Sequence, residues 1–167
     1  MPYFLLTLLV LVIDQLAKVV VVMKLEPFQS AWVLKNIFSV TFVRNYGAAF
    51  GILQSQTVLL IVLSLAVIIF AWFQRDKLKG YPKVFQIGLG LGLGGALGNL
   101  VDRIRLGYVI DFLDFQFWPV FNLADVAIVV GVGLVILGLY FDQTESRKNS
   151  SEGPPEISHG TVSKEDV

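Results

Sequence analysis

Residues 84–103 form a glycine-rich apolar stretch that reads VFQIGLGLGLGGALGNLVDR. Its glycines recur at intervals of four residues, at positions 88/92, 90/94 and 94/98. Small residues at this spacing allow membrane helices to approach one another closely. A phosphate-binding loop would need a Lys-Ser or Lys-Thr pair after the glycines, and none follows in the sequence. The stretch therefore predicts a tightly packed helix at the centre of a bundle.

Three further apolar runs accompany this stretch, at Phe4–Met23, Val58–Phe73 and Leu123–Phe141. Each run comes close to the roughly 20 residues that a helix needs to cross the hydrocarbon core of a bilayer. The mean hydropathy of the chain is +0.71 and 55% of its residues are hydrophobic, which is above the usual share of a soluble domain. The first run lacks the positive start of a signal peptide. We therefore expect an all-α integral membrane protein with four transmembrane helices.

Composition excludes several classes of function. The formal net charge is zero, so nothing suggests a nucleic-acid partner. The chain has no Cys, which removes disulfides, thiol nucleophiles and Cys–metal sites. The single His is His159, which lies in a polar tail, and this speaks against His-based catalysis and zinc motifs. We expect no metal and no cofactor.

The polar segments divide the rest of the chain. Residues 38–43, FSVTFV, alternate in polarity as a strand does, and the turn-forming residues 44–47 follow. We expect a small extracytoplasmic β-element between the first two helices, lying on the membrane surface. Residues 142–167 are polar and contain Pro154-Pro155, so we expect a disordered tail. The chain thus divides into a membrane domain, 1–141, and a tail, 142–167.

Positive charge in the loops predicts the orientation. The connection between the second and third runs is basic, with residues Arg75, Lys77, Lys79 and Lys83. Basic loops stay in the cytoplasm. Four spans then place both termini in the cytoplasm and the start of the last run on the extracytoplasmic side.

Four carboxylates lie inside or at the edges of the apolar runs. They are Asp14, Asp102, Asp111 and Asp125. A charge at the bilayer centre costs at least about 2.5 kcal/mol, so these residues need a use. Asp111 and Asp125 bracket the start of the last run, and we expect them to form an acid–base pair at the membrane surface.

Three of these carboxylates also have a purely structural interpretation. Asp14 and Lys18 are four residues apart and share a helix face as an ion pair. Asn122 and Asp125 fit a capping box at a helix start. The segment 99–103 fits a helix C-terminal cap with an ion pair beside the membrane. Taken together, however, so many polar residues at the outer ends of the spans are improbable for packing alone.

Five motifs occur in a fixed order along the chain. They are Asp14-Gln-x-x-Lys18, Asn45-x-Gly-Ala-Ala-Phe50, Gly94-Gly-Ala-Leu-Gly-Asn-Leu-x-Asp-Arg103, Gly107-x-Val-x-Asp-Phe112 and Phe121-Asn-x-Ala-Asp125. With these motifs and the four-span pattern, the chain resembles the bacterial lipoprotein signal peptidases, signal peptidase II, over residues 4–141. Ile110 stands where the family often has Val.

The resemblance implies an aspartic endopeptidase of the bacterial cell (inner) membrane. Such enzymes cleave prolipoproteins on the amino side of a diacylglyceryl-modified Cys, so the implied partners are that substrate and membrane lipid. By motif position, Asp111 and Asp125 are the catalytic pair. Positions that the family uses for substrate contacts or support fall on Asn45, Gly47, Asn99, Arg103 and Asn122. Asp14 and Lys18 match a motif with a structural role, and we assign Asp102 to support.

Two other classes of function remain open from the residues. A small transporter or channel subunit would use its carboxylates to relay protons or bind cations, and it predicts carboxylates spread through the membrane depth. An assembly subunit without enzymatic activity would leave Asp111 and Asp125 replaceable. The gathering of most carboxylates at one face favours the peptidase.

Overall fold

The computed structural model describes residues 2–47 and 56–151. In chain order the helices and strands are α1 (Pro2–Lys24), β1 (Ser30–Leu34), β2 (Phe38–Asn45), α2 (Thr57–Phe73), α3 (Arg75–Leu78), α4 (Lys83–Leu106), β3 (Val109–Asp114) and α5 (Leu123–Ser151). The Ala48-Ala49-Phe50 part of the second motif and the predicted tail from residue 152 onward lie outside the described residues.

Helix α4 is the centre of the bundle, as its glycines predict. It packs against α1, α2 and α5. A Cβ atom at Gly94 would lie 2.8 Å from the Thr7 carbonyl oxygen of α1, and one at Gly88 would lie 2.6 Å from the Gly131 carbonyl oxygen of α5. Glycine at these positions thus allows the backbones of three helices to come into direct contact.

Among residues 2–47 and 56–151, three helices are long and apolar enough to cross a membrane. They comprise residues Tyr3–Lys24, Lys83–Leu106 and Leu123–Thr144. Helix α2 is apolar but shorter, with 17 residues. Large apolar side chains cover the outer faces of the bundle, among them Leu5 (70% exposed), Phe70 (65%) and Val129 (71%). Exposed apolar surface on this scale fits contact with lipid tails, because lipid is as apolar as these side chains.

In the part of the chain that the structure describes, the sheet has three antiparallel strands in the order β1-β2-β3. The predicted β-element contained only the strands between α1 and α2, so the third strand corrects that prediction. Strand β3 pairs Asp111 with Val43 and Val109 with Asn45. Its alternate residues Ile110 and Phe112 pack on a buried cluster that also contains Val21 of α1. The sheet is therefore anchored on α1 and turns the Asp111 face away from that cluster.

The ends of the last two long helices differ from the prediction. Gly107 ends α4 in the left-handed conformation, with φ 81°, and its N–H donates to the Arg103 carbonyl. Residues 99–103 are thus inside the helix rather than its cap. Helix α5 continues to Ser151, so residues 142–151 are helical where the sequence predicts a disordered tail. The extension contains neither Gly nor Pro, and adding residues to an existing helix costs little.

Candidate active site

A cavity of about 970 Å³ opens beside the end of α4 and is lined by residues from β2, β3, α2, α4 and α5. Its polar lining includes Asn45, Asn99, Arg103, Asp111 and Asp125. Apolar residues of α5, including Val126, Val129 and Val130, form much of the remaining wall. The predicted catalytic pair thus meets four of the predicted supporting residues at one cavity, since Gly47 lines it as well.

Asp111 reaches this cavity from strand β3. Its carboxylate is buried, with 1% of the residue exposed. The two oxygens accept one amide N–H each: Asn45 Nδ2 donates to Oδ2 at 2.7 Å, and Asn122 Nδ2 donates to Oδ1 at 2.6 Å. Burial, together with the nearby Asp125 carboxylate, raises the pKa of Asp111 to about 7. Asp111 therefore holds its proton up to neutral pH.

Asp125 reaches the cavity from the first turn of α5. The Asp125 N–H donates to Asn122 Oδ1 at 2.9 Å, and the Asn122 N–H donates to Asp125 Oδ2 at 3.2 Å. This reciprocal pair is the predicted capping box. The other oxygen, Oδ1, accepts from Asn99 Nδ2 at 2.8 Å. Capping and cavity lining are thus combined in one carboxylate.

Asn122 links the two carboxylates. Its amide nitrogen donates to Asp111 while its amide oxygen accepts from the backbone of Asp125. The same nitrogen lies 3.2 Å from Asn99 Oδ1. Asn122 is fully buried, with 0% exposure, so packing holds it in this orientation. The two asparagines therefore set the spacing of the acid pair.

Arg103 and Gly47 meet in the wall of the same cavity. Arg103 Nη2 donates to the Gly47 carbonyl at 2.9 Å, and the Gly47 N–H donates to Asn45 Oδ1 at 2.9 Å. Arg103 thereby ties the end of β2 to α4. The structural alternative for residues 99–103 included an ion pair beside the membrane. Among the described residues Arg103 and Asp102 form no such pair, and Asp102 pairs with Lys18.

Asp14, Lys18 and Asp102 lie behind the cavity and do not line it. Lys18 Nζ is 2.8 Å from Asp14 Oδ2 and 2.8 Å from Asp102 Oδ2. The predicted Asp14–Lys18 pair therefore exists, and a third charge joins it from α4.

Sequence reasoning missed Gln15, which borders this charge cluster. Gln15 Nε2 donates to Asp102 Oδ1 at 2.9 Å and to the Gly98 carbonyl at 3.1 Å. Gln15 is the second residue of the Asp14-Gln-x-x-Lys18 motif and lies in an apolar run. That position was the signal from which a role for Gln15 could have been predicted. Across residues 2–47 and 56–151, no group of three or more His, Cys, Asp or Glu side chains is placed to hold a metal ion.

Solved structures place the fold among bacterial membrane enzymes. One such enzyme, determined at 2.3 Å resolution, superposes with a TM-score of 0.79 at 28% identity, covering 93% of this chain and 94% of the other. A second, determined at 1.9 Å resolution, gives a TM-score of 0.73 at 31% identity, with 83% of this chain and 92% of the other covered.

The chain belongs to the signal peptidase II family. The family model described as "Signal peptidase (SPase) II" matches residues 6–141. The chain is 46% identical over 137 residues to the lipoprotein signal peptidase of Halothermothrix orenii, covering 82% of this chain and 94% of the relative. It is 48% identical over 132 residues to that of Moorella thermoacetica, covering 79% and 88%.

Proposed function

We propose that this chain is an aspartic endopeptidase that removes signal peptides from prolipoproteins in the bacterial cell (inner) membrane. Membership of the signal peptidase II family supports the peptidase activity, and the relatives named lipoprotein signal peptidases support the substrate class. The observation that carries the aspartic mechanism is the meeting of Asp111 and Asp125 at one cavity, joined through Asn122.

The chemistry of the pair follows from its shared proton. A neighbouring negative charge raises the pKa of a carboxyl group, and the pKa of about 7 at Asp111, raised by burial and by Asp125, fits a pair that holds one proton. The ionised member removes a proton from water, whose oxygen attacks the carbonyl carbon of the scissile peptide. The protonated member donates its proton to the amide nitrogen as the C–N bond breaks. The products are a carboxylate on the signal peptide and a free amino group on the Cys.

The cavity wall supports a lipid-modified substrate. Below the carboxylates, the α5 side chains Val126, Val129 and Val130 offer an apolar surface that continues the lipid-facing side of the helix. A diacylglyceryl group lying along this surface would hold the modified Cys at the depth of the acid pair. Each buried CH₂ contributes about 0.8 kcal/mol to such anchoring, and we place the scissile bond on the amino side of that Cys.

The decisive experiment is cleavage of a diacylglyceryl-modified prolipoprotein by the wild type and by the variants Asp111→Asn and Asp125→Asn. Both variants keep the side-chain shape but lose the ability to share a proton, so we expect almost no cleavage. If Asp125 served only as a cap, Asn would cost at most about 1 kcal/mol of helix stability and leave turnover intact. Substantial activity in either variant would therefore exclude the acid pair.

Asp114→Asn is the matched control for this experiment. Asp114 lies on the same strand as Asp111, but its carboxylate accepts from Thr41 Oγ1 at 2.7 Å and from the Gln116 N–H. We expect near-normal cleavage by this variant. An unlipidated soluble peptide of the same sequence serves as the substrate control, and we expect poor cleavage of it.

The proposed topology has four spans with both termini in the cytoplasm and the cavity on the extracytoplasmic side. The three long apolar helices and the shorter α2 support it, as does the basic segment around α3, where Lys79 pairs with the exposed Asp76. A Cys introduced at Gln116 should react with a membrane-impermeant reagent in intact cells, whereas one at Lys79 should not. Labelling at position 79 but not at position 116 would show that the protein has the opposite orientation in the membrane.

The transporter alternative is not supported. The chain belongs to a peptidase family, and Asp14, which lies near the middle of α1, is occupied by an ion pair and a backbone hydrogen bond. A relay would require carboxylates that follow one another across the membrane, whereas these gather at one end of the bundle.

A further inference from the structure

Three buried charges stand behind the acid pair without lining the cavity. Asp14 is 0% exposed, Lys18 1% and Asp102 2%. Burying charges in a membrane protein is costly, and an apolar cluster of the same volume is often at least as stable as a buried ion pair. Stability alone therefore does not account for these residues.

Each of the two carboxylates holds the backbone next to one member of the acid pair. Asp102 Oδ2 accepts from the Ile110 N–H at 3.1 Å, and Ile110 directly precedes Asp111. Asp14 Oδ1 accepts from the Ala124 N–H at 3.0 Å, and Ala124 directly precedes Asp125. The same contact is thus made twice, once to strand β3 and once to the start of α5.

Lys18 connects the two contacts. Its Nζ lies 2.8 Å from the Asp14 and Asp102 carboxylates and donates to Asn99 Oδ1 at 3.0 Å. Asn99 in turn donates to Asp125. One ammonium group therefore links α1 to both backbones that carry the acid pair and to one of its side-chain partners.

The helix packing makes room for this arrangement. A Cβ at Gly98 would lie 2.5 Å from Asp14 Oδ2 and 3.4 Å from the Ala124 side chain. Gly98 thus leaves the space in which the Asp14 carboxylate reaches from α1, past α4, to the backbone of α5.

We propose that Asp14, Lys18 and Asp102 form a positioning device, in which Asp102 sets the place of Asp111, Asp14 sets the place of Asp125, and Lys18 fixes the distance between them. The proposal rests on the proposed function. It makes Asp14 and Asp102 positioning residues, since neither touches the cavity where substrate binds. Acid–base chemistry is sensitive to such placement, because a displacement of about 1 Å costs up to about 10²-fold in rate.

The test compares Asp102→Leu with Asp102→Asn in the full-length protein acting on a diacylglyceryl-modified prolipoprotein. Leu removes the acceptor of the Ile110 N–H, whereas Asn retains an acceptor oxygen of the same shape. We expect kcat to fall about 10²-fold in Asp102→Leu and clearly less in Asp102→Asn. KM should stay within about twofold of the wild type, because the cavity wall is unchanged. Asp14→Leu and Asp14→Asn should show the same order.

Thr7→Val is the matched control for lost packing. Thr7 Oγ1 makes a buried contact across the same interface between α1 and α4, to the Gly90 carbonyl at 3.1 Å, but it has no link to the acid pair. We expect this variant to lower thermal stability with kcat per folded enzyme unchanged. If Thr7→Val and Asp102→Leu lower kcat equally at equal loss of stability, the positioning role is overturned.

A pH profile supplies a second measurement. The charged groups that act on Asp111 include Asp125, Lys18 and Arg103, and the Lys18 charge lowers the pKa of Asp111. Arg44 lines the same cavity, and Asp102 accepts from the N–H of Ile110, the residue before Asp111. Lys18→Met should therefore move the alkaline limb of the activity profile to higher pH, besides lowering kcat. An unmoved limb in a folded Lys18→Met variant would contradict the link.

The two proposals fail in different ways. The positioning device alone would be overturned if the two acid-pair variants, Asp111→Asn and Asp125→Asn, lost cleavage while both Leu variants kept the wild-type kcat. Retained cleavage in Asp111→Asn would overturn the acid pair itself.

Discussion

Helix α4 holds its neighbours by two different means along its length. In the glycine section, Gly88 to Gly98, the contacts are steric. A Cβ at four of its glycines would collide with the backbone of α1 or α5, namely at Gly88, Gly90, Gly94 and Gly95. In the polar section, Asn99 to Arg103, the contacts are directional. Each of its polar side chains bonds to a residue in another part of the chain: Asn99 to Asp125, Asp102 to Lys18 and Arg103 to Gly47. The glycine section sets how close the helices come, whereas the polar section sets where individual atoms lie.

This difference has a consequence for what each section tolerates. A steric contact fails by displacing a whole helix, so it is measured as a loss of stability or of assembly. A directional contact fails by displacing a few atoms, so it is measured as a loss of rate with the fold retained. The following variants separate the two kinds of failure.

The largest effect is expected at the acid pair, Asp111 and Asp125. The polar section contacts this pair directly, because Asn99 donates a hydrogen bond to Asp125. Asp111→Asn and Asp125→Asn should each lower kcat by about 10⁴-fold or more, and the double variant should be little worse than either single one. The double variant is expected to resemble the singles because the effects of removing groups that act as one catalytic unit are not additive. The measurement is single-turnover cleavage at matched enzyme concentration. If the fold loss of kcat in the double variant equalled the product of the two single losses, the two carboxylates would act independently.

A smaller effect is expected from Arg103→Lys. Lys keeps the positive charge but loses the planar fork of the guanidinium, so the bond from Nη2 to the Gly47 carbonyl is lost or lengthened. We expect about 10²-fold slower cleavage with normal accumulation in the membrane. Arg105→Lys, at an exposed position in the last turn of the same helix, is the control and should be neutral. Equal rates for both variants would reduce Arg103 to a membrane-surface anchor.

The pH dependence of the wild type should show the state of the pair. Because the pKa of Asp111 is raised from its ordinary value to about 7, the shared proton is retained below that pH and lost above it. kcat should therefore decline on the alkaline side of about pH 7, approaching tenfold per pH unit. The decline should be reversible, with unchanged thermal stability over the same range. A flat profile to pH 9 would contradict a shared proton.

The glycine section was open to prediction from sequence because its signal is local. Residues spaced four apart lie on one face of a helix, so the glycine series could be read from the sequence. The motifs around Asp111 and Asp125 predicted that these two carboxylates would lie together. The pairing of Lys18 with Asp102 was not predictable, because sequence spacing revealed only the partner four residues away at Asp14. Strand β3 was missed for a related reason. Its six residues, VIDFLD, form a strand only by pairing with β2, whose residues lie far away in the chain.

Within the glycine section, Gly88→Ala should cost stability. A Cβ there would lie 2.6 Å from the Gly131 carbonyl oxygen and 2.6 Å from the Val135 nitrogen. Both atoms belong to the backbone of α5, so α5 must move as a whole. We expect a loss of about 1–3 kcal/mol, seen as a lower Tm in detergent or as reduced accumulation. An unchanged Tm would mean that α4 and α5 are less closely packed than this geometry requires.

The smallest effect, and one of opposite sign, is expected from Gly92→Ala. An added Cβ at Gly92 meets no described atom within 4 Å, although this glycine lies in the same four-residue series as Gly88. Ala also loses less backbone entropy than Gly on forming a helix, which is worth up to about 1 kcal/mol. We therefore expect an equal or slightly higher Tm and wild-type kcat. Since the two substitutions are chemically identical and one turn apart, their difference in Tm measures the backbone contact between α4 and α5 alone. A loss of stability at Gly92 as large as that at Gly88 would show that glycine is required by the helix itself rather than by its neighbour.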